Sequence, residues 1–227
     1  MPETDVQREK RLAAEASVEL VENGMTVGLG TGSTSAYVLA PLAARKLDIR
    51  CVATSVATAR EAVRLGLGIV EFTGTGAPAH LDIAIDGADQ VAPSGWLIKG
   101  GGAAHTREKA VAAAASRFIV IVGSDKLVDR LTPPVPLELA QFGLAGTLSR
   151  LPSARLRDVP LSPDGGVIAD YMDEFDDPEA LAAQFGAAVG VIEHGLFPAS
   201  MVAEVIVGRG DGVERIPVSG SGSEERD

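Results

Sequence analysis

Residues 25–34, MTVGLGTGST, decide the fold, because an apolar run of strand length passes directly into a turn rich in glycine and hydroxyl side chains. The segment after this turn, residues 35–46, is predicted as a helix. Further apolar runs follow at residues 50–54, 81–85 and 118–122, with helical segments between them. Strands that are apolar on both faces and alternate with helices favour a parallel sheet covered on each side. The sequence therefore predicts an α/β fold.

The composition is that of a globular chain with a strongly acidic balance. The 227 residues are 46% hydrophobic and 22% charged, which excludes a wholly disordered protein. The 20 Lys and Arg residues against 31 Asp and Glu give a net charge of −11, and aromatic residues make up 4%. Neither value suits a surface for nucleic acid or for an anionic membrane. An anionic ligand would need a local pocket that works against the global charge.

Cysteine and histidine usage offers no disulfide or metal framework. Cys51 is the single cysteine, and the three histidines (His80, His105 and His194) are far apart and lack ligand spacing. The first residues lack the apolar run of a signal peptide, and no stretch reaches 18 apolar residues. We therefore expect a cytosolic, soluble protein.

Capping and turn signals place the remaining elements. Thr4 and Gln7 fit a capping box for a helix from about Asp5 to Glu22. Other predicted elements are strands at 69–72 and 96–98, a helix at 104–117, and a strand at 202–207 that turns back into another strand.

A change of composition after Leu131 suggests a domain boundary. Prolines at positions 133, 134 and 136 cannot continue a helix or a central strand. We predict a smaller α+β domain over residues 131–201, used in oligomer contacts, with helices near 137–150 and 178–188. Residues 1–130 and 202–227 then form the larger domain, with a frayed polar tail at 219–227.

The glycine-rich turn after the first strand is a candidate phosphate loop. Backbone N–H groups and the positive end of a helix converge at such a turn, and Thr31, Ser33 and Thr34 add hydroxyl donors around Gly32. Ser33 stands where the dinucleotide fingerprint needs its third glycine, and the Gly-Lys pair of a Walker A motif is missing. The alternative is a tight turn with an ordinary helix cap.

The segment Asp86-Gly87-Ala88-Asp89 ends an apolar strand in two carboxylates. In open α/β sheets ligands bind beyond the carboxyl ends of strands, which is where Asp86 and Asp89 fall. Paired carboxylates could hold Mg²⁺ or act on hydroxyl protons. The alternative is that both are turn or cap residues.

A third motif joins Lys99, the triple glycine Gly100-Gly101-Gly102, and a helix that contains His105 and Glu108. Glycines let backbone approach a ligand, and a lysine directly after a strand could stabilise an oxyanion. The helix dipole would keep Glu108 ionised. His105 could carry protons, but a polar residue at the helix start is the favoured interpretation, and Glu108 taken alone could be an exposed helix charge.

The order of these motifs resembles the type A ribose-5-phosphate isomerase family. The match includes T-G-S-T at 31–34, D-G-A-D at 86–89, K-G-G-G at 99–102 and T-R-E-K at 106–109, and it continues at 53–55, 117–122, 126–128, 195–197 and 205–208. The resemblance implies a Rossmann-like domain with an inserted α+β domain and a homodimer or dimer of dimers. It also implies interconversion of ribose 5-phosphate and ribulose 5-phosphate without metal or organic cofactor.

The resemblance also implies residue roles. The Thr31–Thr34 loop would bind phosphate with help from Lys10 and Lys126. Asp86 and Asp89 would meet the sugar hydroxyls, with Asp86 opening the ring. The substrate-binding set implied by the family is Lys10, Thr31, Gly32, Ser33, Thr34, Asp86, Gly87, Ala88, Asp89, Lys99, Gly100, Gly101, Gly102 and Lys126. Glu108 would be the base, and Lys99 would stabilise the oxyanion of a cis-enediolate.

Two departures from the family pattern are Gln90 in place of a carboxylate and His105 in place of a small or apolar residue. They bear on oligomeric state and substrate choice more than on the type of reaction. Two other functions are alternatives. One is an isomerase for another phosphorylated sugar. A second is a sensor of sugar phosphates, although no basic DNA-reading module is apparent. A dinucleotide-dependent oxidoreductase is disfavoured because Ser33 breaks the fingerprint.

Overall fold

The computed structural model describes residues 3–218, so the predicted tail at 219–227 lies outside the described residues. The helices are α1 (Asp5–Val18), α2 (Ala36–Ala44), α3 (Val56–Arg64), α4 (His105–Ala114), α5 (Leu144–Arg150) and α6 (Pro178–Ala187). The strands are β1 (Thr26–Leu29), β2 (Arg50–Ala53), β3 (Ile83–Gly87), β4 (Gln90–Val91), β5 (Leu97–Ile98), β6 (Phe118–Gly123), β7 (Val135–Leu139), β8 (Ala154–Leu156), β9 (Val167–Tyr171), β10 (Val191–His194), β11 (Leu196–Phe197), β12 (Val202–Arg209) and β13 (Gly212–Pro217).

The chain divides into two compact units. The larger unit takes the described parts of Met1–Gly87, Ala110–Lys126 and Ala199–Asp227, and the smaller unit takes Ala88–Lys109 and Leu127–Pro198. Residues 88–109 were expected in the larger domain but belong to the smaller unit. The reason is that β5 pairs with β4 on one side and with β11 on the other, and neither β4 nor β5 pairs with the strands of the larger sheet.

The larger unit is built on a sheet with strand order β13-β12-β6-β3-β1-β2. Every neighbouring pair is parallel except β12 with β13. All residues of β6 are buried, as its β-branched, apolar sequence predicts for a central strand. The predicted α/β fold is confirmed. The strand predicted at 69–72 is wrong, because only an isolated bridge from Ile69 to Cys51 forms there.

Helix α1 packs on this sheet within the larger unit. Its predicted capping box is confirmed, since the Thr4 hydroxyl accepts from the Gln7 N–H and the Gln7 side chain caps the Thr4 N–H. A Cβ at Gly208 in β12 would lie 1.9 Å from the carbonyl oxygen of Glu9, so glycine is what allows the helix to approach the strand. The helix ends at Val18, before the predicted Glu22.

The smaller unit contains an antiparallel sheet, β10-β7-β9-β8, and a second sheet, β11-β5-β4. The helix predicted at 137–150 is wrong over its first half: residues 135–139 form β7, and only Leu144–Arg150 is helical. Pro136 therefore lies in a strand with neighbours on both sides, contrary to prediction. Its carbonyl still accepts a 2.7 Å hydrogen bond from the Gly195 N–H, so the strand loses only a donor.

Candidate active site

The turn after β1 lies at the carboxyl end of that strand, in the larger unit, and leads into α2. Its backbone is fixed by a 3.0 Å hydrogen bond from the Gly30 N–H to the Ile85 carbonyl. Beyond it, the Lys10 ammonium donates to the Ser33 hydroxyl at 2.9 Å, while Thr34 is buried. The ammonium of Lys10, which lies in α1, and the Ser33 hydroxyl, just before α2, form a local positive site in an acidic protein, which suits a phosphate group.

The Thr31 hydroxyl fixes the turn to two neighbouring threonine hydroxyls. It lies 2.7 Å from the hydroxyl of Thr54 and 3.3 Å from that of Thr58, and Thr58 also donates to the Gly30 carbonyl at 3.1 Å. Thr31 therefore stabilises the turn, in addition to any contact that it makes with a ligand. Thr54 and Thr58 were not predicted as site residues, although Thr54 lies in one of the matched segments.

Asp86 lies at the carboxyl end of β3 and is 4% exposed. Its Oδ1 accepts from the Thr31 N–H at 3.1 Å, the Ser35 hydroxyl at 2.8 Å and the Gly87 N–H at 2.7 Å. These donors hold the carboxylate at one position beside the turn. Ser35, which sequence reasoning missed, also accepts from the Gly87 N–H at 3.1 Å and so links the turn to β3.

Close backbone approach explains the glycine at position 30. A Cβ there would lie 1.9 Å from Oδ1 of Asp86. The larger unit thus brings the turn and Asp86 together as predicted. Lys126 ends the 3₁₀ turn Ser124–Lys126 after β6, and its ammonium lies 3.2 Å from Asp125.

In the smaller unit, the Lys99 ammonium lies 3.0 Å from Oε2 of Glu108, and each side chain is 3% exposed. Lys99 follows β5, and its N–H donates to the Gly195 carbonyl at 2.9 Å. Glu108 lies in the first turn of α4, where the helix dipole favours a carboxylate. The Phe197 ring centroid is 5.5 Å from the Lys99 ammonium. The structure therefore brings together the predicted oxyanion stabiliser and the predicted base.

The triple glycine forms a tight turn in the same unit. The Ala103 N–H donates to the Gly100 carbonyl at 3.0 Å, and the Gly101 N–H donates to Oδ2 of Asp89 at 2.7 Å. Gly100 has φ +106°, a conformation that favours glycine. The Asp89 carboxylate thus stabilises the turn. Ala88, directly before Asp89, is the first residue of the smaller unit.

His105 lies under this turn, fully buried. A Cβ at Gly100 would come within 2.7 Å of Nδ1 of the His105 ring. Burial, followed by the positive charge of Lys109, lowers the pKa of His105 to about 4. The imidazole is therefore neutral near pH 7, and its surroundings favour a packing role over proton transport.

Lys109, next to Glu108 on α4, is held in a buried polar cluster that sequence reasoning missed. Its ammonium donates to Oε1 of Glu193 and to the His194 carbonyl, each at 2.7 Å. It also lies 4.9 Å from the Phe197 centroid. Burial lowers the pKa of Lys109, and the Glu193 carboxylate opposes that change. The cluster ties the N-terminal part of α4 to β10.

Gln90, where the family pattern has a carboxylate, is a structural residue in this chain. Its side-chain amide donates to the Thr132 carbonyl and accepts from the Thr132 N–H, both at 2.9 Å. Within residues 3–218, no group of three or more His, Cys, Asp or Glu side chains is placed to hold a metal ion. No helix among the same residues is long and apolar enough to cross a membrane.

Two features define the class of this protein. One is a parallel sheet with a phosphate-type turn and a held aspartate at its carboxyl edge, and the other is a buried Lys–Glu pair beside a glycine turn. Phosphate binding, and proton transfer beside a cation, are the two kinds of chemistry that a sugar-phosphate isomerase needs. The family model for ribose 5-phosphate isomerase A (phosphoriboisomerase A) matches residues 50–212, and the chain belongs to that family.

Known proteins agree with this assignment over nearly the whole chain. The chain is 42% identical to the ribose-5-phosphate isomerase A of Caulobacter sp. strain K31, over 92% of this chain and 97% of the relative. The solved ribose 5-phosphate isomerase A of Neisseria gonorrhoeae has a TM-score of 0.88 and 30% identity, covering 96% of this chain and 99% of that one. A solved D-ribose-5-phosphate isomerase in complex with phospho-erythronic acid has a TM-score of 0.87 and 33% sequence identity. The match covers 94% of this chain and 100% of that one. The predicted family is confirmed.

Proposed function

We propose that this chain interconverts ribose 5-phosphate and ribulose 5-phosphate through a cis-enediolate, with Glu108 as the base. The observation that carries the proposal is the buried contact of 3.0 Å between the Lys99 ammonium and the Glu108 carboxylate. A base and a cation at that separation can serve two neighbouring atoms of one substrate. Aldose–ketose isomerisation needs this pair, because a proton leaves carbon while negative charge develops on the adjacent oxygen.

The proton balance fits one base. Glu108 removes the proton from C2 of the open-chain aldose, and the electron pair of that bond forms the C1–C2 double bond. The charge then lies on O1, where the Lys99 ammonium and the amides of Gly100 and Gly102 stabilise it. Glu108 returns the proton to C1 as a hydroxyl proton moves from O2 to O1, which leaves the ketone at C2. No net proton is consumed.

Asp86 is the proposed group for ring opening. Its Oδ1 accepts from the Ser35 hydroxyl and from two backbone donors, and these hold the carboxylate at the end of β3, where it is proposed to exchange a proton with the sugar. Asp89 is proposed to bind a sugar hydroxyl while it holds Gly101. Both assignments rest on the family pattern together with these contacts.

The phosphate is assigned to the turn at residues 31–34, with Lys10 and Lys126 as cations. The contact of 2.9 Å between Lys10 and Ser33 supports this assignment, because it places positive charge at the hydroxyl-rich turn. The relative in complex with phospho-erythronic acid supports a phosphorylated sugar as the substrate, since that ligand is a phosphorylated acid whose carboxylate resembles the planar enediolate.

We further propose a cytoplasmic homodimer, or a dimer of dimers, that uses the smaller unit for contacts. Large apolar side chains of that unit are exposed, among them Phe142 at 97% and Val189 at 79%.

Burial raises the pKa of the Cys51 thiol to about 11, so this thiol is protonated and inert at neutral pH.

A substrate panel tests the proposed function. Purified protein is assayed with the 5-phosphates of ribose, ribulose, arabinose and xylulose and with erythrose 4-phosphate. We expect kcat/KM for ribose 5-phosphate to exceed every other aldose by at least about tenfold. A higher value for another sugar would establish the alternative isomerase, and tight binding without turnover of any sugar would establish the sensor.

A further inference from the structure

Arg157, which follows β8 in the smaller unit, reaches the triple-glycine turn. Its Nη1 donates to the Gly100 carbonyl at 2.9 Å and to the Gly101 carbonyl at 3.1 Å. Its Nε and Nη2 form a bidentate pair with Asp170 in β9, both at 2.6 Å. The two side chains are 16% and 19% exposed. One guanidinium is thus fixed on a strand and holds two successive carbonyls of the turn.

These contacts set the direction of one backbone donor. In a trans peptide the C=O and N–H groups point in opposite directions. With the Gly101 carbonyl on Arg157, the Gly102 N–H must face the other side of the turn. The neighbouring Gly101 N–H is occupied by Asp89. Among residues 3–218 the Gly102 N–H donates to no protein acceptor, so it is an available donor of the turn.

The backbone conformation of the triple-glycine turn is unfavourable by itself, so other contacts must stabilise it. Gly100 has φ +106°, and Ala103, which is not glycine, has φ +59°. A left-handed alanine is disfavoured, because its Cβ comes too close to the following carbonyl oxygen. Such strain persists where surrounding contacts determine the backbone, and it occurs often at ligand-binding sites. The bonds of Arg157 to two carbonyls of this turn are contacts of that kind.

We propose that Arg157 and Asp170 are positioning residues that direct the Gly102 N–H at the oxyanion of the reaction. This inference rests on the proposed function, because the oxyanion is that of the enediolate. Arg157 itself contacts no reacting atom. A strand-anchored guanidinium is suited to this task, since its planar fork binds a carboxylate on one edge and carbonyls on the other. Lysine offers a single point charge and cannot do both.

The test compares Arg157→Met, Arg157→Lys and Asp170→Asn with Arg155→Met as the matched control. Arg155 lies two residues away in β8 and is exposed, and within residues 3–218 it donates only to the local carbonyls of Pro152 and Ala154. Loss of one oxyanion donor costs about 10²–10³ in kcat, so misdirecting one should cost at least about tenfold. We expect that loss in Arg157→Met, with KM changed less than about threefold. Arg157→Lys should not restore kcat, and Arg155→Met should match wild type.

Two further readouts separate positioning from stability. Inhibition by phospho-erythronic acid should weaken by at least about tenfold in Arg157→Met, while competition by inorganic phosphate stays the same. Added methylguanidinium should raise the turnover of Arg157→Ala but not that of Glu108→Gln. If Arg157→Met does not fold, Asp170→Asn carries the same expectation, because it loosens the guanidinium and keeps its charge.

Normal kcat and normal inhibition in a folded Arg157→Met or Asp170→Asn protein would overturn the inference, whatever its melting temperature. The ¹H–¹⁵N resonances of Gly101 and Gly102 distinguish this failure from failure of the proposed function, because they need no turnover. Both amides should shift in Arg157→Met and stay in place in Arg155→Met. Unshifted amides would also overturn the inference, even if the wild type isomerises a different sugar phosphate.

Discussion

The Lys99 ammonium and Oε2 of Glu108 lie 3.0 Å apart, with 3% of each side chain exposed. In such a site a charge interaction is stronger than in water, and the two groups hold each other in place. The proposed base is therefore held in one orientation by its cationic partner. The surrounding residues, from the glycine turn to the Lys109 cluster, fix the two elements that carry the pair.

Gly30→Ala should damage the site in the larger unit by displacing Asp86. The new Cβ would lie 1.9 Å from Oδ1 of that carboxylate, so one of them must move. We expect kcat for the cyclic sugar to fall at least tenfold and stability to fall by about 1–3 kcal/mol. Gly76→Ala is the control, because nothing lies within 4 Å of its added Cβ. Equal activity of the two variants would remove Asp86 from the mechanism.

Lys10→Met should weaken phosphate recognition. The Lys10 ammonium donates to the Ser33 hydroxyl at 2.9 Å, and a charge-assisted bond to phosphate contributes about 1–3 kcal/mol. We expect weaker competition by inorganic phosphate and a higher KM for ribose 5-phosphate, with kcat changed less. Lys46→Met, at an exposed lysine after α2, controls for the loss of one positive charge. Identical inhibition constants in both variants would return the turn to a purely structural role.

Stability should fall on acidification because His105 is buried neutral. Its pKa is lowered to about 4 by burial and by Lys109, against an ordinary value of 6.5. The unfolded chain therefore binds a proton at this residue between those two values while the folded chain does not. The free energy of unfolding should drop between about pH 6.5 and 4, by roughly 3 kcal/mol from this residue.

Chemical denaturation across pH measures that drop. His105→Leu should show a shallower decline over the same interval, and the buried His194, whose pKa burial also lowers to about 4, accounts for part of what remains. His80→Gln removes a histidine that lies at the surface and serves as the control. A decline as steep in His105→Leu as in wild type would show that His105 is not buried neutral.

Isomerisation should survive removal of metal ions. In the proposed mechanism the Lys99 ammonium and the glycine amides stabilise the oxyanion, so no Lewis acid is required. Prolonged dialysis against EDTA, followed by assay in metal-free buffer, should leave kcat within about twofold of the untreated enzyme. A lasting loss that one divalent ion restores would make Asp86 and Asp89 metal ligands.

The sequence predicted well what depends on local pattern. Apolar runs such as Phe118–Gly123 and the capping box at Thr4 are read from neighbouring residues, and both formed as expected. The helix predicted at 137–150 failed because tertiary pairing decides β7, where even Glu138 is buried. The prediction that Pro136 excludes a central strand was wrong for the same reason. Partners far away in sequence determine which N–H and C=O groups of a strand form hydrogen bonds.

The residues of the candidate site also differ in how far local sequence predicts them. Asp86, Lys99 and Glu108 belong to motifs that are continuous in sequence, and they lie where those motifs predict. Their supporting residues come from elsewhere in the chain: Arg157 reaches a turn more than 50 residues away. No local pattern marks such a contact, because one arginine beside a loop looks like any surface charge.

The central claim, that Glu108 moves the carbon-bound proton, is tested most directly by Glu108→Gln in D₂O. Glutamine keeps the size of the side chain but cannot accept that proton, so turnover should fall by at least about 10²–10⁴-fold while phosphate competition changes little. Mass spectrometry should find solvent deuterium at C1 or C2 of the sugar with wild type and none with the variant. A folded Glu108→Gln protein with near-normal turnover and deuterium incorporation would contradict the account.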